Sequence, residues 1–117
     1  DSEGVLWATS FSDLNLHSYE NSKWTRHIGG PKELLSDWNG DKKYISHKLL
    51  VLPDDRIVIS SQTHPGIGVY NRKYWEGYLI PGIDTFGGIS EIKRGPDGSI
   101  WCATPHHGLA IFRPGKK

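Results

Sequence analysis

The residues with most chemical potential here are three histidines and two aromatic rings placed between apolar strands. His64 lies in Gln62-Thr63-His64-Pro65, and His106 and His107 lie in Pro105-His106-His107. Imidazoles donate and accept hydrogen bonds near neutral pH, so a set of them in neighbouring loops could converge on a sugar hydroxyl or a carboxylate. Adjacent histidines on one strand point opposite ways, and joint ligation of a metal would need a bent loop. No metal is assigned. Trp38 and Phe86 fall in the other set of long connections, where an exposed ring could stack on the apolar face of a sugar or dock a partner. The plainer alternatives are a solvated turn for each histidine and a ring packed beneath its own loop for each aromatic.

Catalytic chemistry finds little to use. The chain has no nucleophile elbow, no metal-spaced histidine pair and no phosphate-cradling glycine loop. Asp54, Asp55 and Asp97 sit in tight turns, where carboxylates ordinarily accept hydrogen bonds from backbone amides. Cys102, the single cysteine, lies between Trp101 and Ala103 and reads as a small buried thiol. No catalytic residue and no cofactor are assigned, and the segment is read as non-enzymatic.

The elements that must position these residues are strands. Fourteen Gly, seven Pro, five Trp, five Tyr and three Phe describe short strands joined by frequent turns. Lys and Arg total 14 against 13 Asp and Glu, so there is no strong field to draw nucleic acid or an anionic membrane. No apolar run approaches the roughly 20 residues that span a bilayer. The start, Asp1-Ser2-Glu3-Gly4, lacks a signal pattern, so any export signal or anchor is expected outside these residues. The absence of a disulfide pair suits cytoplasm or a bacterial periplasm.

A repeat organises the strands. Leu6-Trp7-Ala8-Thr9, Ile57-Val58-Ile59-Ser60 and Ile100-Trp101-Cys102-Ala103-Thr104 are versions of one strand, each behind a tight polar turn. A second strand ends each time in an aromatic residue, Tyr19, Tyr70 or Phe112, and Trp24 and Trp75 come five residues after the two tyrosines. Leu49-Leu50-Val51-Leu52 and Ile89-Ser90-Glu91-Ile92 supply a preceding strand. Equivalent positions are 51 and 43 residues apart, the size of a four-stranded propeller blade. The apolar run Ile100-Trp101-Cys102-Ala103 is then expected to be covered on both faces by neighbouring blades.

With strands named a to d outward from the axis, residues 1–28 supply b, c and d of a partial blade. Residues 29–80 form a complete blade with an extended loop at 29–46, where Pro31-Lys32-Glu33-Leu34-Leu35 suggests one or two helical turns. Residues 81–117 supply a, b and c. The expectation is an all-β fold, a β-propeller fragment of about two and a half four-stranded antiparallel blades. Its partners would be the remaining blades of a longer polypeptide or, in a second reading, further copies of the chain in a ring. Two blade faces rich in Trp, Leu and Ile would otherwise meet water.

Pro96-Asp97-Gly98-Ser99-Ile100-Trp101-Cys102-Ala103-Thr104, followed by Gly108-Leu109-Ala110-Ile111-Phe112, resembles the two-component regulator propeller repeat, and Glu3-Gly4-Val5-Leu6-Trp7-Ala8-Thr9 matches its first half. The middle copy departs, with Asp55 for the turn glycine and Val58 for the tryptophan. The resemblance implies the periplasmic sensor region of a two-component histidine kinase, often a hybrid kinase of gut Bacteroidetes, that detects polysaccharide breakdown products. It implies an oligosaccharide-like ligand, a homodimer as a signalling partner, and a position on the periplasmic side of an inner membrane. Two other classes compete: a lactonase-like or lyase-like propeller enzyme with carboxylates on its inner strands, of which Glu91 is the one example here, and a protein-binding adaptor propeller.

Overall fold

The computed structural model describes residues 1–9, 16–27, 46–61, 66–79, 88–104 and 108–115. Among them are ten strands and no helix: β1 (Leu6–Thr9), β2 (Leu16–Glu20), β3 (Lys23–His27), β4 (Ser46–Val51), β5 (Ile57–Ser61), β6 (Gly66–Tyr70), β7 (Trp75–Leu79), β8 (Glu91–Arg94), β9 (Ile100–Thr104) and β10 (Gly108–Phe112). They form three antiparallel sheets, β1-β2-β3, β4-β5-β6-β7 and β8-β9-β10. The preceding strand of the third sheet starts at Glu91, two residues later than the apolar run Ile89-Ser90-Glu91-Ile92 suggests. Ile89 instead donates its backbone N–H to the Ser61 carbonyl at 2.8 Å and ties the third sheet to the second.

The turns explain why the three sheets share a form. Between β4 and β5, the Leu52 N–H donates to the Arg56 carbonyl at 2.9 Å and the Asp55 N–H to the Leu52 carbonyl at 2.9 Å, with Asp55 left-handed at φ 68°. This is a three-residue hairpin loop whose last residue must take positive φ. Gly4 and Gly98 hold the same place at φ 81° and 80°. Asp55 adopts without glycine the conformation its two counterparts reach with it, and aspartate is among the few side chains that do so routinely. The β2–β3 turn is a two-residue hairpin with Asn21 and Ser22 both at positive φ.

Register carries the repeat into three dimensions. Leu6 pairs with Tyr19 and Tyr19 with Trp24; Ile57 pairs with Tyr70 and Tyr70 with Trp75; Ile100 pairs with Phe112. Directly paired residues point to one face of a sheet. Each sheet therefore has a front face bearing this aliphatic–aromatic row and a back face bearing the next residue along: Trp7, Val58 or Trp101.

The sheets stack front to back. Trp7, Leu16 and Val5 from the first sheet pack on Ile57 and Ile59 from the front of the second, with Tyr70 and Trp75 at the edge. Val58, Ile67 and Val69 from the back of the second pack on Ile92, Ile100 and Cys102 from the front of the third, with Phe112 beside them. The middle sheet is covered on both sides, and all five residues of β5 are buried. Each such Ile or Val contributes about 1.5–3 kcal/mol by leaving water. Among the described residues no sheet stacks on the back of the third, and Trp101 there is 38% exposed.

Candidate functional site

The described turns of neighbouring sheets meet at one end of the stack, and there the charged side chains gather. In the four residues between β6 and β7, the Asn71 side-chain oxygen accepts from the N–H groups of Lys73 and Tyr74, both at 2.9 Å, and Arg72 is left-handed at φ 78°. This loop aims Arg72 across to the first sheet. Its guanidinium donates to the Asp1 carboxylate and to Glu3 Oε2 at 3.4 Å, and its Cζ lies 5.5 Å from the centre of the Trp7 ring. Asp1 Oδ2 also accepts from Trp7 Nε1 at 2.8 Å, while Oδ1 accepts from the N–H groups of Glu3 and Val5. Ser2 donates through its N–H (3.0 Å) and its hydroxyl to Asp55. Those two bonds from Ser2, the hydroxyl's foremost, hold the Asp55 carboxyl below the usual carboxylate range.

The second and third sheets meet differently. Arg56, nearly buried, bonds Asp54 through Nε at 3.0 and 3.2 Å and donates through Nη2 to the Gly115 carbonyl at 2.6 Å. Arg113 donates to Asp97 Oδ2 at 3.0 Å, and the Ser99 hydroxyl donates to Asp97 Oδ1 at 2.5 Å. The Ser99 hydroxyl, then Arg113, pull the Asp97 carboxyl down to about 2. Between these pairs lies a cleft of about 590 Å³ walled by Leu52, Pro53 and Pro114. Its charges are matched internally and its walls are apolar, which suits an amphiphilic group better than an ion.

Two more groups of titratable residues lie away from the cleft. His27 sits at the first interface, 5.0 Å from the Trp7 ring and 5.7 Å from that of Tyr70, with Nε2 2.8 Å from Ser18 Oγ. Desolvation, then the charges of His17 and Arg72, lowers its pKa. On the preceding strands, Lys48 of β4 and Glu91 of β8 form an ion pair at 3.6 Å with both side chains partly exposed. Among the described residues, no three of His, Cys, Asp and Glu are grouped to hold a metal, and no helix is long and apolar enough to cross a membrane.

The five candidates from the sequence, Trp38, His64, Phe86, His106 and His107, lie outside the described residues, as does the expected helical turn at 31–35. The turn carboxylates lie where the sequence puts them: Asp54 and Asp97 each accept from the amide two residues on, both at 3.2 Å. Cys102 is fully buried, and burial pushes its thiol up to about 11. Sequence reasoning missed Arg56, Arg72 and Arg113. The available signal was an arginine at each of the two described turns at one end of the second sheet, Arg56 and Arg72, where a long cation can reach the next sheet. Comparison with protein-family models, curated proteins and solved structures found no match.

Proposed function

We propose that these residues are part of a ligand-sensing β-propeller, the periplasmic sensor region of a two-component signalling protein, with oligosaccharides from polysaccharide breakdown as the ligand class. The observation that supports this most is the middle sheet. It is buried on both faces by sheets of the same repeat, stacked front to back in the same sense on each side. Sheets that stack in one sense build a ring or an arc whose loops form a common face, and recognition is commonly placed on such loops. The paired charges at the turn end favour a structural role there. That leaves the opposite end, reached from Thr9, Ser61 and Thr104 at the ends of β1, β5 and β9, for the ligand.

In this reading Trp38 and Phe86 stack on sugar rings, and His64, His106 and His107 bond hydroxyls or carboxylates. The test is calorimetric titration of the whole ectodomain against a panel of glycan fragments, alone and with Trp38→Ala, Phe86→Ala or His106→Ala. Saturable binding weakened by these changes is the expected result. A null result across the panel, with no change in association state, overturns the reading.

A further inference from the structure

The two internal interfaces use the same repeat positions at their turn ends and close differently. At the first, Ser2 bonds Asp55, and Arg72 reaches Asp1 and Glu3. Counted from the pairs Ile57–Tyr70 and Ile100–Phe112, the counterparts at the second interface are Pro53 for Ser2, Gly98 for Asp55 and Pro114 for Arg72. Two prolines and a glycine can make none of those side-chain bonds, and all three line the cleft of about 590 Å³. The cleft lies between two sheets of the stack and not on an outer face. In the second sheet the chain passes from Lys73, the counterpart of Gly115, into β7 and away from this end.

The polar groups left over in the cleft are donors. Arg56, its side chain 9% exposed, uses Nε on Asp54 and Nη2 on the Gly115 carbonyl, and among the described residues Nη1 has no acceptor. Arg113 uses Nη2 on Asp97, and among the described residues its Nε and Nη1 have no acceptor. The carboxylates are engaged: Asp97 accepts from the Ser99 N–H, the Ser99 hydroxyl and Arg113, and both oxygens of Asp54 accept from Arg56. We infer that this cleft binds a small carboxylate carried on an apolar body, its head on the guanidinium groups of Arg56 and Arg113 and its body against Leu52, Pro53 and Pro114. A guanidinium edge matches the two oxygens of a carboxylate, and a cleft of this volume suits a small molecule. The site lies at the end opposite the loop candidates and does not rest on the sensing reading.

The experiment is an amide-resolved NMR titration of the 117-residue chain with benzoate, with benzamide as the neutral control and acetate as the control without an apolar body. Saturable shifts at the Asp97, Gly98 and Gly115 amides are expected with benzoate, and binding weaker by about tenfold or more with either control. Arg113→Gln lowers benzoate affinity by roughly tenfold, as for a hydrogen bond between charged groups. Pro53→Glu sets a repelling carboxylate on the cleft wall and weakens benzoate without altering either arginine. Arg26→Gln, on an exposed arginine of the first sheet, leaves the affinity unchanged. Shifts that do not saturate, equal binding of benzoate and benzamide, or affinity indifferent to both Arg113→Gln and Pro53→Glu overturn the inference. The β5 amides separate this from failure of the stack: dispersed and slowly exchanging, they leave the stack standing whatever the titration shows, whereas collapsed β5 signals remove the second interface and the site with it.

Discussion

Leu16 and Leu109 occupy one position of the repeat, each facing out from the back of its sheet, yet Leu16 is 1% exposed and Leu109 57%. Trp7 and Trp101 repeat the contrast at 9% and 38%. Both indoles are anchored through N–H donation, Trp7 directly to Asp1 and Trp101 through Ser99 to Asp97. Local chemistry is nearly the same in the two places. What differs is that Ile57, Ile59, Tyr70 and Trp75 stand opposite the first pair and, among the described residues, no sheet stands opposite the second. Burial in this molecule is therefore a property of neighbouring sheets more than of each strand.

The contrast gives its largest expected effect in a pair of truncations. Leu16→Ala opens a cavity under the second sheet and costs about 2–5 kcal/mol, whereas Leu109→Ala stays within about 0.5 kcal/mol. Urea unfolding of both variants checks this, and equal losses would mean that the back of the third sheet is covered in solution. Arg72→Ala comes next: it removes two ion pairs and a cation over Trp7 for about 1 kcal/mol, with part of that loss disappearing in high salt. Arg113→Ala, on an exposed pair at the open end, changes the midpoint little.

A third prediction uses pH to address the first interface alone. The His27 pKa is lowered in the folded chain, so the unfolded chain binds its proton more readily. Stability from neutral His27 is complete above the unfolded value near 6.5 and declines as pH falls through the lower folded value. His17 and Arg72 act on the ring electrostatically, and Trp7, Tyr70 and Ser18 surround it. His27→Gln should flatten that limb, below the unfolded value near 6.5, in thermal melts. A limb unchanged by the substitution would place the sensitivity elsewhere. The smallest effect is expected at Ser60, whose buried hydroxyl has no partner among the described residues. Ser60→Ala should leave stability unchanged or raise it by up to about 1 kcal/mol, since an unsatisfied buried group is removed. A clear loss would reveal a partner for that hydroxyl.

Much of the strand plan was legible from residues 6–9, 57–60 and 100–104, because a tight turn with a left-handed residue followed by a short apolar strand is a local pattern. The Asp54 and Asp97 turns were legible for the same reason: an aspartate bonding the amide two residues ahead needs nothing distant. Arg72 was not. Its partners Asp1 and Glu3 are more than sixty residues away in the chain, and no local pattern tells which turn of one sheet abuts which turn of the next. The apolar run at 100–103 marks residues fit to be covered on both faces, and among the described residues a sheet covers its front, through Ile100 and Cys102. The loop candidates Trp38, His64, Phe86, His106 and His107 stand on sequence alone.

By itself the sequence determined the strands, their turns and the position of each residue within the repeat, because alternation and turn conformation are set by a few neighbouring residues. The tertiary structure alone decided which faces are dry, which charges meet across sheets, and that Trp7 and Leu16 are core where Trp101 and Leu109 are surface. Those outcomes depend on what stacks against a strand, and stacking joins residues that only the folded chain brings within reach.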